Sequence, residues 1–579
     1  MTHDPSVAVR RRHLPSEAGE ENEEPSEDRV LGAVVVGAGF GGLYALHRLR
    51  ALGLSVVGIE AAPDVGGTWY WNRYPGVRCD VPSLLYSYTW SPELRAEWRW
   101  SERYAAQAEI LRYIGHAADR FGLRQLIRFE TRVISALYDD DAGVWTVRTN
   151  RGDCFRARFC IMATGCLSVP NTPDIPGLAD FAGAIHHTAQ WPHEPVDFSG
   201  KRVGVVGTGS SGIQAIPVIA ETARHLTVFQ RTPNFSLPSR NRPLTEQDHE
   251  QFEAGFEAYL ESLQHSDFGR VPPTAATAPI PARDVQWTRY EALWQEGGGA
   301  ILYAFPNILT HHGVNDVACD FVRAKIREAV HDPQTADDLC PTNHPLGVKR
   351  ICVDSGYFET FNRPNVTLVN LRREPIERFT PAGVQTSERT FELDMLVLAT
   401  GFDAITGALL AMDIRGRDGR TLKEAWADGP RTYLGLGVAG FPNLFTITGP
   451  GSPSVIGNVI ANCEHHVDWL VDCIEHMRRG KLQTVEPEET AQHQWMDHVA
   501  DVASRTLYPE ANSWYLGVNI PGKPKVFMPY VGAGYRHTCS QIAADSYRGF
   551  RFEGGTAERH RPGLHRDGSQ TCEPDLEGN

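Results

Sequence analysis

One pattern, an apolar strand that runs directly into a glycine-rich loop and a helix, occurs twice and constrains the fold most strongly. The first copy has apolar residues 33–36 followed by G-A-G-F-G-G at 37–42, and the second has apolar residues 203–206 followed by G-T-G-S-S-G at 207–212. A further apolar strand follows each predicted helix, at 55–59 and at 226–229. A strand, a crossover helix and a parallel strand form a βαβ unit. The sequence therefore predicts an α/β fold with two Rossmann-like dinucleotide-binding domains.

The first loop has the features of a site for FAD or NAD. Gly37 permits the tight turn, Gly39 allows a pyrophosphate to approach the backbone, and Gly42 lets the helix pack close to the strand. Glu60 ends the following strand, where a carboxylate accepts a hydrogen bond from the adenosine ribose.

The second loop is followed by a different strand end. No carboxylate stands at the ribose position, which is taken by Gln230 and then Arg231. A guanidinium pairs with a 2′-phosphate, whereas a carboxylate repels it. The second site is therefore predicted to bind NADPH through Arg231 and the loop residues Gly207, Thr208, Gly209, Ser210, Ser211 and Gly212.

Composition excludes several classes of protein. The 56 basic and 71 acidic residues give a net charge of −15, which disfavours binding to nucleic acid or an anionic membrane. No apolar run is long enough to span a membrane, and the start lacks the apolar core of an export signal. The 11 cysteines include no C-x-x-C pair, which disfavours a disulfide reductase and fits free thiols in the cytoplasm. We expect no metal site and no obligatory protein partner.

The pattern predicts a chain organised around two domains. Residues 1–29 and 554–579 are expected to be disordered tails, the first of them acidic. We expect a discontinuous FAD domain from 30–165 and 390–553, and an NADPH domain at 195–389 with a helical insertion at about 240–345. The remaining segment, 166–194, is expected to be a linker.

Two longer motifs identify a family. Residues 181–192 fit the pattern F-x-G-x-x-x-H-x-x-x-W-P, and residues 66–80 fit G-G-x-W-x-x-x-x-Y-P-G-x-x-x-D. Together with the two glycine loops, they resemble type I Baeyer–Villiger monooxygenases, and segments such as Ser513-Trp514-Tyr515 are similar to the branch of phenylacetone and steroid monooxygenases. The resemblance extends from about Val30 to Phe552. The linker motif is carried by Phe181, Gly183, His187 and Trp191, for which we favour linking and packing roles over catalysis.

The resemblance implies an enzyme that uses FAD, NADPH and O2 to convert a ketone to an ester or lactone through a flavin peroxide. That peroxide must stay anionic, which requires a fixed cation and a site closed to water. The resemblance assigns the cation to Arg350, held by Asp80, and a mobile lid to Trp514. It places Lys349 and Thr232 beside Arg231 at the 2′-phosphate, and assigns to FAD the residues Gly67, Thr68, Trp69, Asp80, Tyr86 and Val133.

Several alternatives remain open at this point. A related flavin monooxygenase would oxidise sulfur or nitrogen, and an NADPH oxidase or a nucleotide-sensing flavoprotein would use the same fold. On the sequence alone, Arg350 could equally form a structural salt bridge. The sequence does not name the ketone, for which a cyclic or bulky compound of the terpenoid or steroid type is the hypothesis.

Overall fold

The computed structural model describes residues 29–266 and 279–554, and both predicted tails lie almost entirely outside these ranges. Two sheets of α/β type dominate the described part, as the two glycine loops predict: the first is mixed and the second is parallel. No helix in these ranges is long and apolar enough to cross a membrane.

The first sheet has eight strands and contains the first βαβ unit. Val30–Val36 pairs in parallel with Val56–Ile59 on one side and with Cys154–Met162 on the other. The helix Phe40–Ala51 connects the first two strands and is covered by the long helix Val459–Arg479. The other strands are Ile127–Arg128, Val133–Asp139, Val144–Thr149, Asp413–Arg415 and Leu444–Thr446.

The second sheet has five parallel strands around the second βαβ unit. In sheet order they are Val366–Asn370, His225–Gln230, Arg202–Val206, Met395–Leu398 and Ala184–His187. The helix Ser210–Thr222 follows the second glycine loop.

This sheet corrects two expected domain boundaries. Met395–Leu398 was expected in the FAD domain, which was set to resume at residue 390, but it pairs with Arg202–Val206 in the second sheet. The physical reason is that each glycine loop packs on one A-T-G strand end. A Cβ at Gly37 would meet the carbonyl of Ala163, and one at Gly207 would meet that of Ala399. The expected linker 166–194 likewise contributes a strand, Ala184–His187.

Smaller elements connect and extend the two sheets. The expected helical insertion begins with two helices, Glu246–Ala254 and Phe256–His265, which are separated at Gly255. Short sheets pair Ser236–Pro238 with Cys352–Asp354, Leu482–Pro487 with Phe550–Gly554, and Gly383–Thr386 with both Ile376–Thr380 and Thr390–Glu392. The remaining α-helices are Thr68–Trp71, Pro92–Glu97, Gln107–Arg120, Arg283–Glu296, His312–Ala329, Pro333–Leu339, Tyr357–Thr360, Gly407–Leu410, Leu422–Ala425, Glu489–Ser504 and Tyr535–Ala544.

Candidate active site

The first glycine loop is held by the residue expected to face the ribose. Glu60 is 5% exposed, and its two carboxylate oxygens accept hydrogen bonds from the backbone N–H groups of Ala38 at 2.7 Å and Ala62 at 2.8 Å. Burial raises the pKa of Glu60, and the two backbone bonds oppose that rise. Each oxygen retains a second lone pair for a ligand hydroxyl.

A cavity of about 520 Å³ borders this loop. Its lining includes Glu60 and Val133 as well as Arg350 and Trp514. Predicted residues that line it are Gly37, Gly39, Glu60, Gly67, Thr68, Trp69, Asp80, Tyr86, Val133, Ser210, Ser211, Arg350 and Trp514. Predicted residues that do not line it are Gly42, Gly207, Thr208, Gly209, Gly212, Phe181, Gly183, His187, Trp191, Arg231, Thr232 and Lys349.

Arg350 and Asp80 form a bidentate ion pair in the wall of this cavity. Arg350 Nε donates to one Asp80 oxygen and Nη2 to the other, both at 2.6 Å, while Nη1 donates to the carbonyl of Val455. Burial alone would lower the pKa of Arg350, but the Asp80 carboxylate raises it above its ordinary value. The guanidinium is therefore a permanent cation with its plane fixed by two partners.

A second cavity of about 150 Å³ shares Asp80, Val81 and Arg350 with the first. Its wall is mainly aromatic and aliphatic, with Tyr303, Leu302, Tyr508 and Tyr515 among the lining residues. Trp514 lines the first cavity and the adjacent Tyr515 lines the second. The segment predicted to be a lid thus borders both cavities, and Arg350 stands between them.

Two bonds join the Y-P-G segment to the second glycine-loop helix. The Tyr74 hydroxyl donates to Oε1 of Gln214 at 2.9 Å, and Gln214 Nε2 donates to the carbonyl of Arg78 at 3.0 Å. A side chain at Gly76 would collide with the Gln214 carbonyl. The motif that identified the family is therefore a contact between the two sheets' units. Sequence reasoning missed Gln214, whose only signal is its place in the first turns of that helix.

The second loop faces a group of cations. Gly209 has open space where a side chain would begin, so a ligand has room to approach its backbone. Thr208 Oγ1 donates to the carbonyl of Thr232 at 3.2 Å. Burial lowers the pKa of Lys349, and the positive charge of the nearby Arg231 lowers it further. The two residues predicted to bind the 2′-phosphate are therefore close enough to interact electrostatically.

The four named residues of the linker motif line neither cavity, although Ala189 and Gln190 in the same segment line the first. His187 Nδ1 accepts the Ala189 N–H at 3.0 Å, which leaves Nε2 to donate to Thr400 Oγ1 at 3.2 Å. Burial lowers the pKa of His187. A Cβ at Gly183 would lie 2.6 Å from the Phe181 ring. Trp191 is buried beside His186, with ring centroids 5.3 Å apart. These contacts fit linking and packing roles.

The donor sets fit two dinucleotides better than a metal. The lining of the first cavity combines a glycine loop, an adjacent carboxylate and a fixed cation, which suits a flavin nucleotide. Within residues 29–266 and 279–554, no three His, Cys, Asp or Glu side chains are grouped to hold a metal ion.

Comparison with known proteins also indicates an enzyme that binds dinucleotides. Residues 34–267 match the family model described as pyridine nucleotide-disulphide oxidoreductase. The chain is 41% identical to a Baeyer–Villiger monooxygenase of Pseudooceanicola batsensis, over 89% of this chain and 95% of that protein. It is 39% identical to a phenazine N-monooxygenase of Lysobacter antibioticus, over 90% and 96%.

A solved structure matches most of this chain. Oxidized steroid monooxygenase bound to NADP superimposes with a TM-score of 0.86 at 49% sequence identity, covering 91% of this chain and 100% of that chain. FAD and NADP are bound in structures of the homologous Baeyer–Villiger monooxygenases, which convert ketones to esters or lactones. The chain belongs to the type I Baeyer–Villiger monooxygenases, which are NADPH-dependent flavoenzymes.

Proposed function

We propose that this enzyme oxygenates a cyclic or bulky ketone of the terpenoid or steroid type, with Arg350 as its catalytic cation. The observation that carries the proposal is the bidentate Arg350–Asp80 pair, which stands where the two cavities meet. A cation held by two oxygens of one carboxylate and by a backbone carbonyl has little freedom to reorient, so its field is preorganised.

The large cavity supports the assignment of its glycine-loop end to FAD. Glu60 would accept a ribose hydroxyl, Val133 would lie on the adenine side, and Thr68 and Trp69 would lie along the flavin side. Tyr86 supports this wall because its hydroxyl accepts the Trp69 indole N–H at 3.0 Å. The second loop, Arg231, Thr232 and Lys349 would hold NADPH. Bound FAD would accept a hydride from NADPH and activate O2.

The chain's own groups supply the electrostatics and exclude water. Arg350 directs positive charge at the substrate carbonyl oxygen, which gains negative charge when the carbonyl carbon is attacked. Asp80 is a positioning residue, since it holds the guanidinium plane without contacting the ketone. Trp514 and Tyr515 border the two cavities and limit the entry of water to the reacting groups.

The small cavity supports a ring-containing substrate. Its volume of about 150 Å³ equals the liquid volume of about five water molecules, which is room for one ring against its apolar wall. A larger skeleton would extend along the space that the two cavities share at Arg350. The match to steroid monooxygenase is consistent with a polycyclic substrate, of which one ring would occupy this cavity.

A second candidate function is oxygen transfer to nitrogen. The 39% identity to a phenazine N-monooxygenase favours it, because that relative covers the same 90% of the chain. Oxidation of sulfur belongs to the same class of heteroatom oxygenation.

The test is product formation from a panel of substrates. Purified enzyme, NADPH and 18O2 are incubated separately with cyclohexanone, camphor, progesterone, thioanisole and phenazine, and products are identified by mass spectrometry. We expect an ester or lactone with one 18O atom from at least one ring ketone. Products from the sulfide or phenazine alone would favour heteroatom oxygenation. Release of hydrogen peroxide with no oxygenated product would indicate an NADPH oxidase.

A further inference from the structure

Three cationic side chains, Arg231, Lys349 and Arg372, lie close together beyond the carboxyl ends of two strands of the second sheet, a region called the edge below. Arg231 follows the strand His225–Gln230 and Arg372 follows its neighbour Val366–Asn370, so the parallel pairing of Gln230 with Asn370 brings both arginines to the same edge. Arg372 Nε donates to the backbone carbonyl of Arg231 at 3.1 Å. Lys349 is close enough for both arginines to lower its pKa, after the larger effect of burial.

None of these three cations has a carboxylate partner within ion-pair distance among residues 29–266 and 279–554. The adjacent Arg373 differs, because it pairs with Asp338. Three like charges that repel one another without a counter-ion destabilise the free protein and attract an anion. The edge therefore has the electrostatics of an anion site that its own acidic residues leave open.

The position of the edge identifies the anion. It lies at the end of the strand that follows the second glycine loop, where a dinucleotide bound to that loop presents its adenosine ribose. Thr208 in that loop is tied to Thr232 next to Arg231, so loop and edge form one surface. A 2′-phosphate carries a charge between about −1.5 and −2, more than a single cation neutralises.

We propose that Arg372 is a third cation of the NADPH 2′-phosphate site and contributes to the preference for NADPH over NADH. This rests on the proposed assignment of Arg231 and Lys349 to the same phosphate. The turn after the strand fixes Arg372, whose backbone N–H donates to Asn370 Oδ1 at 3.1 Å. Arg373 points its charge to Asp338 instead, which makes it a neighbour of equal charge and exposure outside the site.

The experiment measures equilibrium binding to the FAD-loaded enzyme by calorimetry, with 2′,5′-ADP as the probe and 5′-ADP as the ligand without the 2′-phosphate. We expect Arg372→Gln to weaken binding of 2′,5′-ADP by about tenfold, as expected for loss of one charge-assisted contact, and to leave 5′-ADP unchanged. Arg373→Gln is the matched control and should leave both ligands unchanged. In turnover, Arg372→Gln should raise the KM for NADPH but not for NADH, at unchanged kcat.

Arg372→Lys separates a direct contact from a supporting one. Lysine keeps the charge but loses the planar fork that bonds the Arg231 carbonyl. Recovery of 2′,5′-ADP affinity in this variant supports contact with the phosphate, and no recovery overturns it in favour of a role in holding Arg231.

Arg231→Gln is the reference variant, because it tests the proposed 2′-phosphate site independently of Arg372. If Arg231→Gln weakens 2′,5′-ADP and Arg372→Gln does not, the inference about Arg372 is wrong and the proposed site stands. If neither substitution affects 2′,5′-ADP, the proposed 2′-phosphate site is itself wrong, and the inference falls with it.

Discussion

The two glycine loops have the same backbone form but different surroundings. Gly37 and Gly207 adopt φ values of +106° and +110°, and both pack on an A-T-G strand end. Glu60 and Gln230 occupy equivalent positions, because Glu60 follows Ile59, which pairs with Val36, and Gln230 follows Phe229, which pairs with Val206. Both Glu60 oxygens are bonded to backbone N–H groups, whereas Gln230 donates to the Asp338 carbonyl and its own Oε1 is buried without a partner among the described residues.

The space beyond the loops differs as well. The first loop lines the cavity of about 520 Å³, whose wall also includes Ser210 and Ser211 beside the second loop. The second loop leads to the edge of Arg231 and Arg372, which are both exposed to solvent. This contrast agrees with the proposed roles, in which the cavity would hold a cofactor retained through many turnovers and the exposed cationic edge would bind a cosubstrate that exchanges in each. Glu60 and Arg231 are where the sequence encodes this difference.

The largest effect should come from the residue that belongs to neither loop. Arg350→Ala should leave both nucleotide sites occupied and reduce ester or lactone formation by about 100- to 1000-fold, the range for loss of one preorganised donor. The measurement is labelled product per NADPH consumed, with flavin content checked by absorbance. Arg505→Ala, which removes an exposed arginine paired with Asp501, is the control. Unchanged product formation in Arg350→Ala would show that the Asp80 pair is structural.

Glu60→Ala should separate the two loops most clearly. The substitution leaves the N–H groups of Ala38 and Ala62 buried without acceptors, at a cost of about 2 to 4 kcal/mol in the free energy of unfolding, and lowers the FAD content. Gln230→Ala at the equivalent position removes one amide bond and should leave the FAD content unchanged. The measurements are denaturant unfolding and the flavin-to-protein ratio. Equal FAD loss in both variants would contradict the division of roles.

The sequence predicted the backbone of both sites because glycine spacing and apolar runs act locally. A G-x-G-x-x-G loop needs its glycines at fixed positions whatever surrounds it, as the close approaches at Gly37 and Gly207 show. The positions of Glu60 and Gln230 could be predicted equally well, because strand register alone determines them. The family motifs then pointed to Arg350 and Asp80, which are 270 positions apart in sequence and form the ion pair.

The parts that sequence reasoning missed depend on pairings between distant segments. Met395–Leu398 was given to the wrong sheet because its A-T-G end resembles the one after Cys154–Met162, and either sheet could accept such a strand. Gln214 and Arg372 were missed because neither belongs to a motif. Their importance arises only when Tyr74 and Arg231 are brought to them by the fold.

Arg231→Ala tests the cationic character of the second loop. If Arg231 binds the 2′-phosphate as proposed, the substitution should raise the KM for NADPH by about tenfold, with little change in the KM for NADH. Steady-state kinetics with both cosubstrates at one saturating ketone concentration measures this. A proportional rise for both would mean that Arg231 does not discriminate the phosphate, and the contrast with Glu60 would lose its basis.

Tyr74→Phe tests how firmly the two units are joined. The change removes one hydroxyl bond to Gln214, which keeps its bond to the Arg78 carbonyl, and should cost about 1 kcal/mol in the free energy of unfolding. Tyr70→Phe nearby, whose hydroxyl shares no bond with Gln214, is the control. A loss of stability confined to Tyr74→Phe supports a role for the Tyr74–Gln214 bond in joining the two units, and equal losses in both variants contradict it.

The smallest effect is a pH dependence of stability caused by two histidines, His47 in the helix after the first loop and His344 near Lys349 of the second site. Burial lowers the pKa of His47, which stacks on Trp90, to about 4, and lowers that of His344 to about 3, with Lys349 and other cations adding to the shift. Because both folded-state values lie below the ordinary 6.5, the unfolded chain takes up protons first as the pH falls. Each histidine should therefore cost just under 1 kcal/mol of stability between about pH 7.5 and pH 6, and more below that.

Thermal unfolding of His47→Leu and His344→Leu across this range should show a shallower loss of Tm than the parent enzyme. A parent Tm that stays constant over the range would contradict the neutral form of both side chains, and flattening in one variant alone would assign the acid sensitivity to that region.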